Sequence, residues 1–291
     1  MNIFWGIVKN ILGTFSTFFY KKSLLSRPNL LVNAFLTSIY HFFAGFFILS
    51  LFALEPILYV PVIVLFAGNF IRYFTSILEQ KVYQDEKISA LIPYSNLNII
   101  MGMIIAFFVF GGVSWISFVI ALIIVILSIV PNLKFNKSSG KKISKMVLLY
   151  VGLQIIRAII YVSEGYVILK MIAFDFFVLN IFSYGFAGVC ISFVLFRIKK
   201  VKLDDFKMNK PYHISKFVEN IIYVISSYLS AFLIVELGLI VSSILGFLGT
   251  GMTLIMSYFA FGDKPSKKDL ILTIVITILV FLGFYFKDYG L

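Results

Sequence analysis

The run SKFVENIIYVISSYLSAFLIVELGLIVSSILGFLGTGMTLIMSYFA, from Ser215 to Ala260, decides what kind of chain this is. Its only charged residues are Lys216, Glu219 and Glu236. A helix crossing a bilayer takes roughly 20 mostly apolar residues. The run is therefore too apolar for a soluble helix and too long for one crossing. Glu236-Leu237-Gly238 is the point near its middle where a break is expected to divide it into spans at 215–235 and 238–260.

Working outward, apolar runs of the same length fill the rest of the chain. Spans are expected near 2–20, 30–52, 57–79, 88–110 and 114–132, then near 146–168, 175–197 and, after the pair above, 269–286. Arg27-Pro28-Asn29, Glu55-Pro56, Gly111-Gly112 and the basic stretch Lys134–Lys145 punctuate them, because proline lacks a donor and glycine allows a left-handed turn. The fold class read from this is an all-α integral membrane protein of ten transmembrane helices in two five-helix inverted repeats. The first half is 1–133, the linker loop 134–145 and the second half 146–291. Composition agrees: 61% of residues are hydrophobic and only 13% charged, with a mean hydropathy of +1.03, which leaves too little polar surface for a soluble domain.

The halves echo each other. Phe108-Val-Phe-Gly-Gly112 ends the fourth span, Phe259-Ala-Phe-Gly-Asp263 the ninth, and each precedes a serine suited to capping the next helix, Ser114 or Ser266. An odd number of spans per half would invert the second copy in the bilayer, a common transporter plan.

A net charge of +12 raises nucleic acid as a partner, but the positions exclude it, since no segment offers an extended basic surface with aromatic platforms. Twenty of the 25 lysines and arginines gather in alternate loops: Lys21, Lys22 and Arg27; Lys81 and Lys87; five in 134–145; seven from Arg197 to Lys216; and Lys264, Lys267 and Lys268. That bias places those loops in the cytoplasm of a cell-membrane protein, with both termini outside. It also makes membrane lipids a partner. The single cysteine, Cys190, allows no internal disulfide and is expected to be a packed small residue. The first apolar run carries Lys9 at its middle and no small-residue cleavage site, so it is expected to remain as a helix.

Together these features resemble the drug/metabolite transporter superfamily, and within it the EamA-like ten-helix members. The most specific part is Glu236-Leu-Gly-Leu-Ile-Val-Ser-Ser243, an apolar span, Phe261-Gly-Asp-Lys-Pro-Ser266, and a last span containing Gly283; Pro93 matches a proline frequent in the family's fourth helix. Gly112 stands where the family has an acidic residue, and the family is usually drawn with both termini cytoplasmic, opposite to the charge bias here. The resemblance implies movement of metabolites or amino acids.

Ionisable groups at membrane depth are costly and point to a pathway or a buried partner. Projected at 100° per residue, several spans carry their polar groups on one face. The first has Lys9, Asn10, Gly13 and Thr14; the third Asn69, Arg72, Ser76 and Glu79; the sixth Gln154, Arg157, Tyr161 and Glu164. Lys9, Asn10, Asn69, Arg72, Gln154, Arg157 and Tyr161 are the candidate substrate-binding residues, and Glu79 and Glu164 the candidate coupling residues. The competing reading pairs Arg72 with Glu164, or Arg157 with Glu79, across helices. Glu219 is expected near a solvated helix end, and His41 as a buried histidine bonded to a neighbour. Asn98, Gly102 and Ala106, and likewise Ser242, Gly246 and Thr250, form small-residue ladders suited to close packing. The fifth and tenth spans are almost wholly apolar, so they face lipid or a second copy in a homodimer.

The function expected from all this is secondary transport of a small anionic or zwitterionic metabolite, such as an amino acid, by alternating access. A lipid or lipid-phosphate flippase and a cationic drug exporter are the alternatives on the same scaffold. No phosphate-binding loop points to ATP. Two histidines, with no aspartates paired at metal-ligand spacing, argue against an enzyme and against a metal or other cofactor.

Overall fold

The computed structural model describes residues 2–26, 28–52, 59–86, 97–110, 145–246 and 248–262, with separate positions between 91 and 126 and between 267 and 282. Every regular element among them is helical. In chain order these are α1 (Asn2–Leu24), α2 (Leu30–Leu51), α3 (Tyr59–Asp85), α4 (Leu97–Phe110), α5 (Lys145–Ile168) and α6 (Ala173–Lys199). A 3-10 turn (Leu203–Phe206) leads to α7 (Lys210–Gly246) and α8 (Leu248–Phe261). The fifth and tenth expected spans, the Gly111-Gly112 break and the linker 134–145 lie largely or wholly outside the described residues.

Among the described residues, five segments are long and apolar enough to cross a membrane: Leu30–Leu51, Val60–Asp85, Lys145–Ile168, Ala173–Lys199 and Lys210–Leu237. The chain is thus an all-α protein that fits a multi-pass membrane protein. Large apolar residues stay exposed in stripes. On α3 these are Ile63, Phe70, Ile71, Phe74 and Leu78, all within about 100° of the helix circumference, the side a lipid-facing helix turns outward.

The expected break at Glu236-Leu237-Gly238 is not there. Helix α7, described from Lys210 to Gly246, runs unbroken through it over 37 residues. The segment contains no proline, and one glycine costs only about 1 kcal/mol against alanine in a helix, which is too little to end one. Farther along α7, Asn10 Nδ2 donates to Leu245 O at 2.8 Å. Of the second small-residue ladder, Ser242 and Gly246 lie in α7 and Thr250 in α8.

The chain forms two compact units. One comprises Met1–Thr14, Asp85–Val162 and Glu236–Leu291; the other comprises Phe15–Gln84 and Ser163–Val235. Each draws on both sequence halves, and the change between units at Val235/Glu236 falls where the break was expected, inside a continuous helix.

In the second unit, α2 packs along α6. Two glycines permit the approach. A Cβ at Gly45 would lie 2.7 Å from the Phe182 Cα, and one at Gly185 would collide with the Phe42 backbone. Small residues serve this purpose in apolar surroundings, where close backbone contact replaces the missing hydrophobic drive. In the first unit, a Cβ at Gly102 on α4 would lie 3.1 Å from the Tyr161 ring of α5, so the first ladder packs closely at Gly102.

Three further expectations are corrected. Cys190 is exposed, on the same side of α6 as exposed Phe186 and Phe193, where apolar neighbours suit a thiol as well as a core does. Lys216 and Lys21 are not loop residues. They lie in α7 and α1 and are buried.

Candidate functional site

The polar interior of the second unit is built on the face of α3 opposite its apolar stripe. Asn69, Arg72, Ser76 and Glu79 recur there at helical spacing, so one face must be satisfied by protein while the other is greasy. Asn69 is fully used as a donor: its amide nitrogen reaches Asn180 Oδ1 at 2.8 Å and Ser183 Oγ at 2.6 Å. One turn on, Arg72 Nη2 lies 2.5 Å from Glu164 Oε1, with side chains 22% and 12% exposed. The first of the expected cross-helix pairings, Arg72 with Glu164, therefore forms. Ser76 Oγ accepts from Tyr184 OH at 3.2 Å, and Tyr73 OH is bonded to Ser192 Oγ. Glu79 is buried.

A second polar layer joins α1, α2, α3 and α7. Tyr212 OH donates to Asn33 Oδ1 at 2.7 Å, and Asn33 Nδ2 donates to Gln80 Oε1 at 3.0 Å. The Lys21 ammonium donates to Tyr83 O. Lys216, 1% exposed, donates to Glu219 Oε2 at 3.0 Å and sits 5.3 Å from the Tyr20 ring centroid. Glu219 is therefore buried and paired, contrary to the expectation of a solvated carboxylate. The i, i+3 spacing places both groups on one side of α7, and burial of a charge is tolerated when its opposite is bonded to it.

Between these layers stands His41, 3% exposed. Its ring centroid is 5.2 Å from that of Tyr184 and 5.0 Å from that of Tyr223. Neither ring nitrogen has a hydrogen-bond partner, which overturns the expectation of a histidine bonded to a neighbour: the aromatic rings occupy the places a polar partner would take. A buried unsatisfied polar group costs about 1–3 kcal/mol, so such groups point to a working part of a protein. Asn69 Oδ1 and Asn220 Oδ1 are also unsatisfied. Tyr223, which covers His41, is 38% exposed. It lies opposite the stripe of Ile214, Phe217, Ile221, Ile225 and Tyr228 on α7, on the side of Lys216 and Glu219. Its exposure is therefore on a polar side, not a lipid-facing one.

The first unit holds the other candidates. Asn10 is buried and committed to Leu245 O, and Thr14 lies 3.4 Å from Thr253 through their hydroxyls. Gln154 is 1% exposed with its Nε2 unsatisfied. Lys9 is half-buried with no acidic partner among the described residues. Arg157 is half-buried, and Tyr161 packs on Gly102. The candidate substrate residues thus divide between the units: Lys9, Asn10, Gln154, Arg157 and Tyr161 in one, Asn69 and Arg72 with Glu79 and Glu164 in the other. His41, Lys216 and Glu219 were missed as site residues. The signal for the last two was present, as Lys216 and Glu219 fall on one helical face of an apolar run.

Among the described residues no group of three or more His, Cys, Asp or Glu side chains is placed to hold a metal ion. The chain matches no family model and no curated protein. Among solved structures, a chain described only as "Crystal structure of protein" superposes with a TM-score of 0.64, over 96% of each chain and at 12% identity. At that identity the likeness is one of fold alone.

Proposed function

We propose that this protein is a secondary transporter of the EamA-like drug/metabolite type, moving a small anionic or zwitterionic metabolite by alternating access. The observation that carries the reading is the buried ionic content of helices otherwise apolar enough to span a bilayer. Arg72–Glu164 and Lys216–Glu219 are held inside one unit, and Lys9 and Arg157 lie in the other. Charges at such depth are retained where a polar solute or ion must pass.

A second feature supports the five-plus-five inverted arrangement. The compact unit changes after Thr14 and after Gln84, and changes again after Val162 and after Val235. The same two changes recur about 150 residues along. Lys9 stands five residues before the first change and Arg157 five before the third. Two copies of one plan would place a cation at the same point of each, and an anionic group on the solute would supply the counter-charge that Lys9 lacks among the described residues. In this reading the basic loops are cytoplasmic, and thiol labelling of a Cys190→Ala background with one cysteine added at Ser139 or Gly290 tests it: only the second should react in intact cells.

The function is tested by reconstitution. Proteoliposomes are offered a pool of labelled amino acids and dicarboxylates, the lipophilic cation tetraphenylphosphonium, and a fluorescent phospholipid. Uptake from the first pool is expected, lost in Lys9→Met and Arg157→Ala. Movement of the cation alone would give the site the wrong sign, and lipid scrambling alone would make the protein a flippase.

A further inference from the structure

Outside the polar interior, the end of α6 carries a site that transport does not explain. A groove of about 690 Å³ is lined there by Phe193, Val194, Phe196, Arg197, Lys200 and Val201. Of its lining, Phe196 belongs to an aromatic cluster: Phe35 lies 5.0 Å from Phe196 and 6.1 Å from Phe206, and Phe196 lies 5.7 Å from Phe206, between ring centroids. The Leu203–Phe206 turn is thereby fixed under the helix end. One wall is greasy and open, with Phe193 61% and Val194 57% exposed, on the stripe of α6 that would meet acyl chains.

The other wall is cationic and uncompensated. Arg197 and Lys200, both in the lining, are exposed and have no acidic partner among the described residues. The nearby carboxylates are already engaged: Asp204 pairs with Lys207 at 2.7 Å, and Asp205 Oδ2 accepts from the Lys202 backbone N–H at 2.9 Å. Lys200 also caps α6 in the left-handed region, at φ 51° and ψ 46°. It is the one residue other than glycine with positive φ among the described residues. A side chain with a Cβ is disfavoured there, and such conformations persist where a site needs them. In this one the backbone turns so that Lys200 and Arg197 line the same groove.

We propose that this groove binds an anionic phospholipid, with its phosphate between Arg197 and Lys200 and one acyl chain along Phe193 and Val194. The charge and the apolar wall together specify the occupant. A free phosphate would have no use for the greasy wall, and a neutral lipid none for the cations. Cations grouped where a spanning helix leaves the bilayer are the form such recognition takes.

The test uses full-length protein purified in a neutral detergent, with phosphatidylglycerol, phosphatidylcholine or inorganic phosphate added and melting and bound lipid measured. Phosphatidylglycerol alone should raise the melting temperature and stay bound. Two basic contacts near an anionic surface correspond to about thirtyfold in affinity, so the double variant Arg197→Gln, Lys200→Gln should weaken phosphatidylglycerol by about that factor. Lys81→Gln with Lys170→Gln, an equal loss of charge elsewhere, should leave it unchanged. Equal stabilisation by phosphatidylcholine would make the effect one of bulk lipid. Equal stabilisation by phosphate would make the site a free-anion site. Full phosphatidylglycerol affinity in the double variant would place the lipid elsewhere. Each of these three results overturns the proposal.

Discussion

Two lysines, Lys216 in the second compact unit and Lys9 in the first, are treated in opposite ways. In the second, Arg72 is tied to Glu164 at 2.5 Å and Lys216 to Glu219 at 3.0 Å. In the first, Lys9 has no acidic partner among the described residues, and the neighbouring amides divide between one committed to backbone, Asn10, and one left with an unsatisfied nitrogen, Gln154. A paired charge is part of the scaffold, because removing one member strands the other. An unpaired charge is a standing cost that the fold would be better without, so its retention points to use.

The sharpest way to break this comparison is to strand a charge in the paired unit. Lys216→Met leaves Glu219 buried without its partner and should cost about 3–5 kcal/mol, the range for breaking a buried pair. The double change Lys216→Met, Glu219→Leu should recover most of that loss, since well-packed apolar residues replace such pairs at little cost. Thermal unfolding in detergent reads both. A double variant as unstable as the single one would mean that Lys216 acts through Tyr20 rather than through Glu219.

The opposite result is expected in the other unit. Lys9→Met should not destabilise the protein and should raise its stability by about 2 kcal/mol, close to the cost of lysine at the centre of a spanning helix, while abolishing uptake. A large loss of stability in Lys9→Met would show that Lys9 is structural and remove the contrast between the units.

His41 tests whether the paired unit holds a working group of its own. His41→Phe keeps a ring between Tyr184 and Tyr223 while removing two unsatisfied nitrogens, so stability should rise by about 1 kcal/mol. If the imidazole meets the solute, the same change should raise the KM of uptake. An unchanged KM would leave His41 as a packed ring only.

Much of this was legible in the sequence. Apolar runs of spanning length located α2, α5 and α6 to within two residues and the start of α3, because length and hydropathy alone demand a helix in a bilayer; α3 runs six residues past its expected end, to Asp85. The polar face of α3 was also readable from periodicity, whereas the Arg72–Glu164 pair stood only as the competing reading, because periodicity along one helix does not say which side chain faces it from another. The break at 236–238 was misread because a glutamate and a glycine lower hydropathy without removing a backbone donor, and hydropathy is blind to that distinction. Glu219 was misread for a related reason. Nearness to an expected helix end suggested water, whereas α7 begins at Lys210 and carries Glu219 more than two turns inside. The bare nitrogens of His41 had no sequence signal, since they depend on which rings pack around one imidazole.

The smallest expected effect concerns the end of α6, and it separates a cap from a binding group. Lys200 holds φ 51°, where glycine carries no Cβ penalty but loses more chain entropy on folding. The net gain from Lys200→Gly in neutral detergent should therefore be only about 0.5–1 kcal/mol. The change also removes one of the two cations of the groove. If Lys200 is there to hold a lipid phosphate, the variant should be more stable than the parent without lipid and less stabilised by phosphatidylglycerol, so the two melting curves converge as lipid is added. If Lys200 is only an ill-suited cap, the variant keeps its advantage at every lipid concentration. The sign of the difference at saturating phosphatidylglycerol decides between them, and it depends on no knowledge of the transported solute.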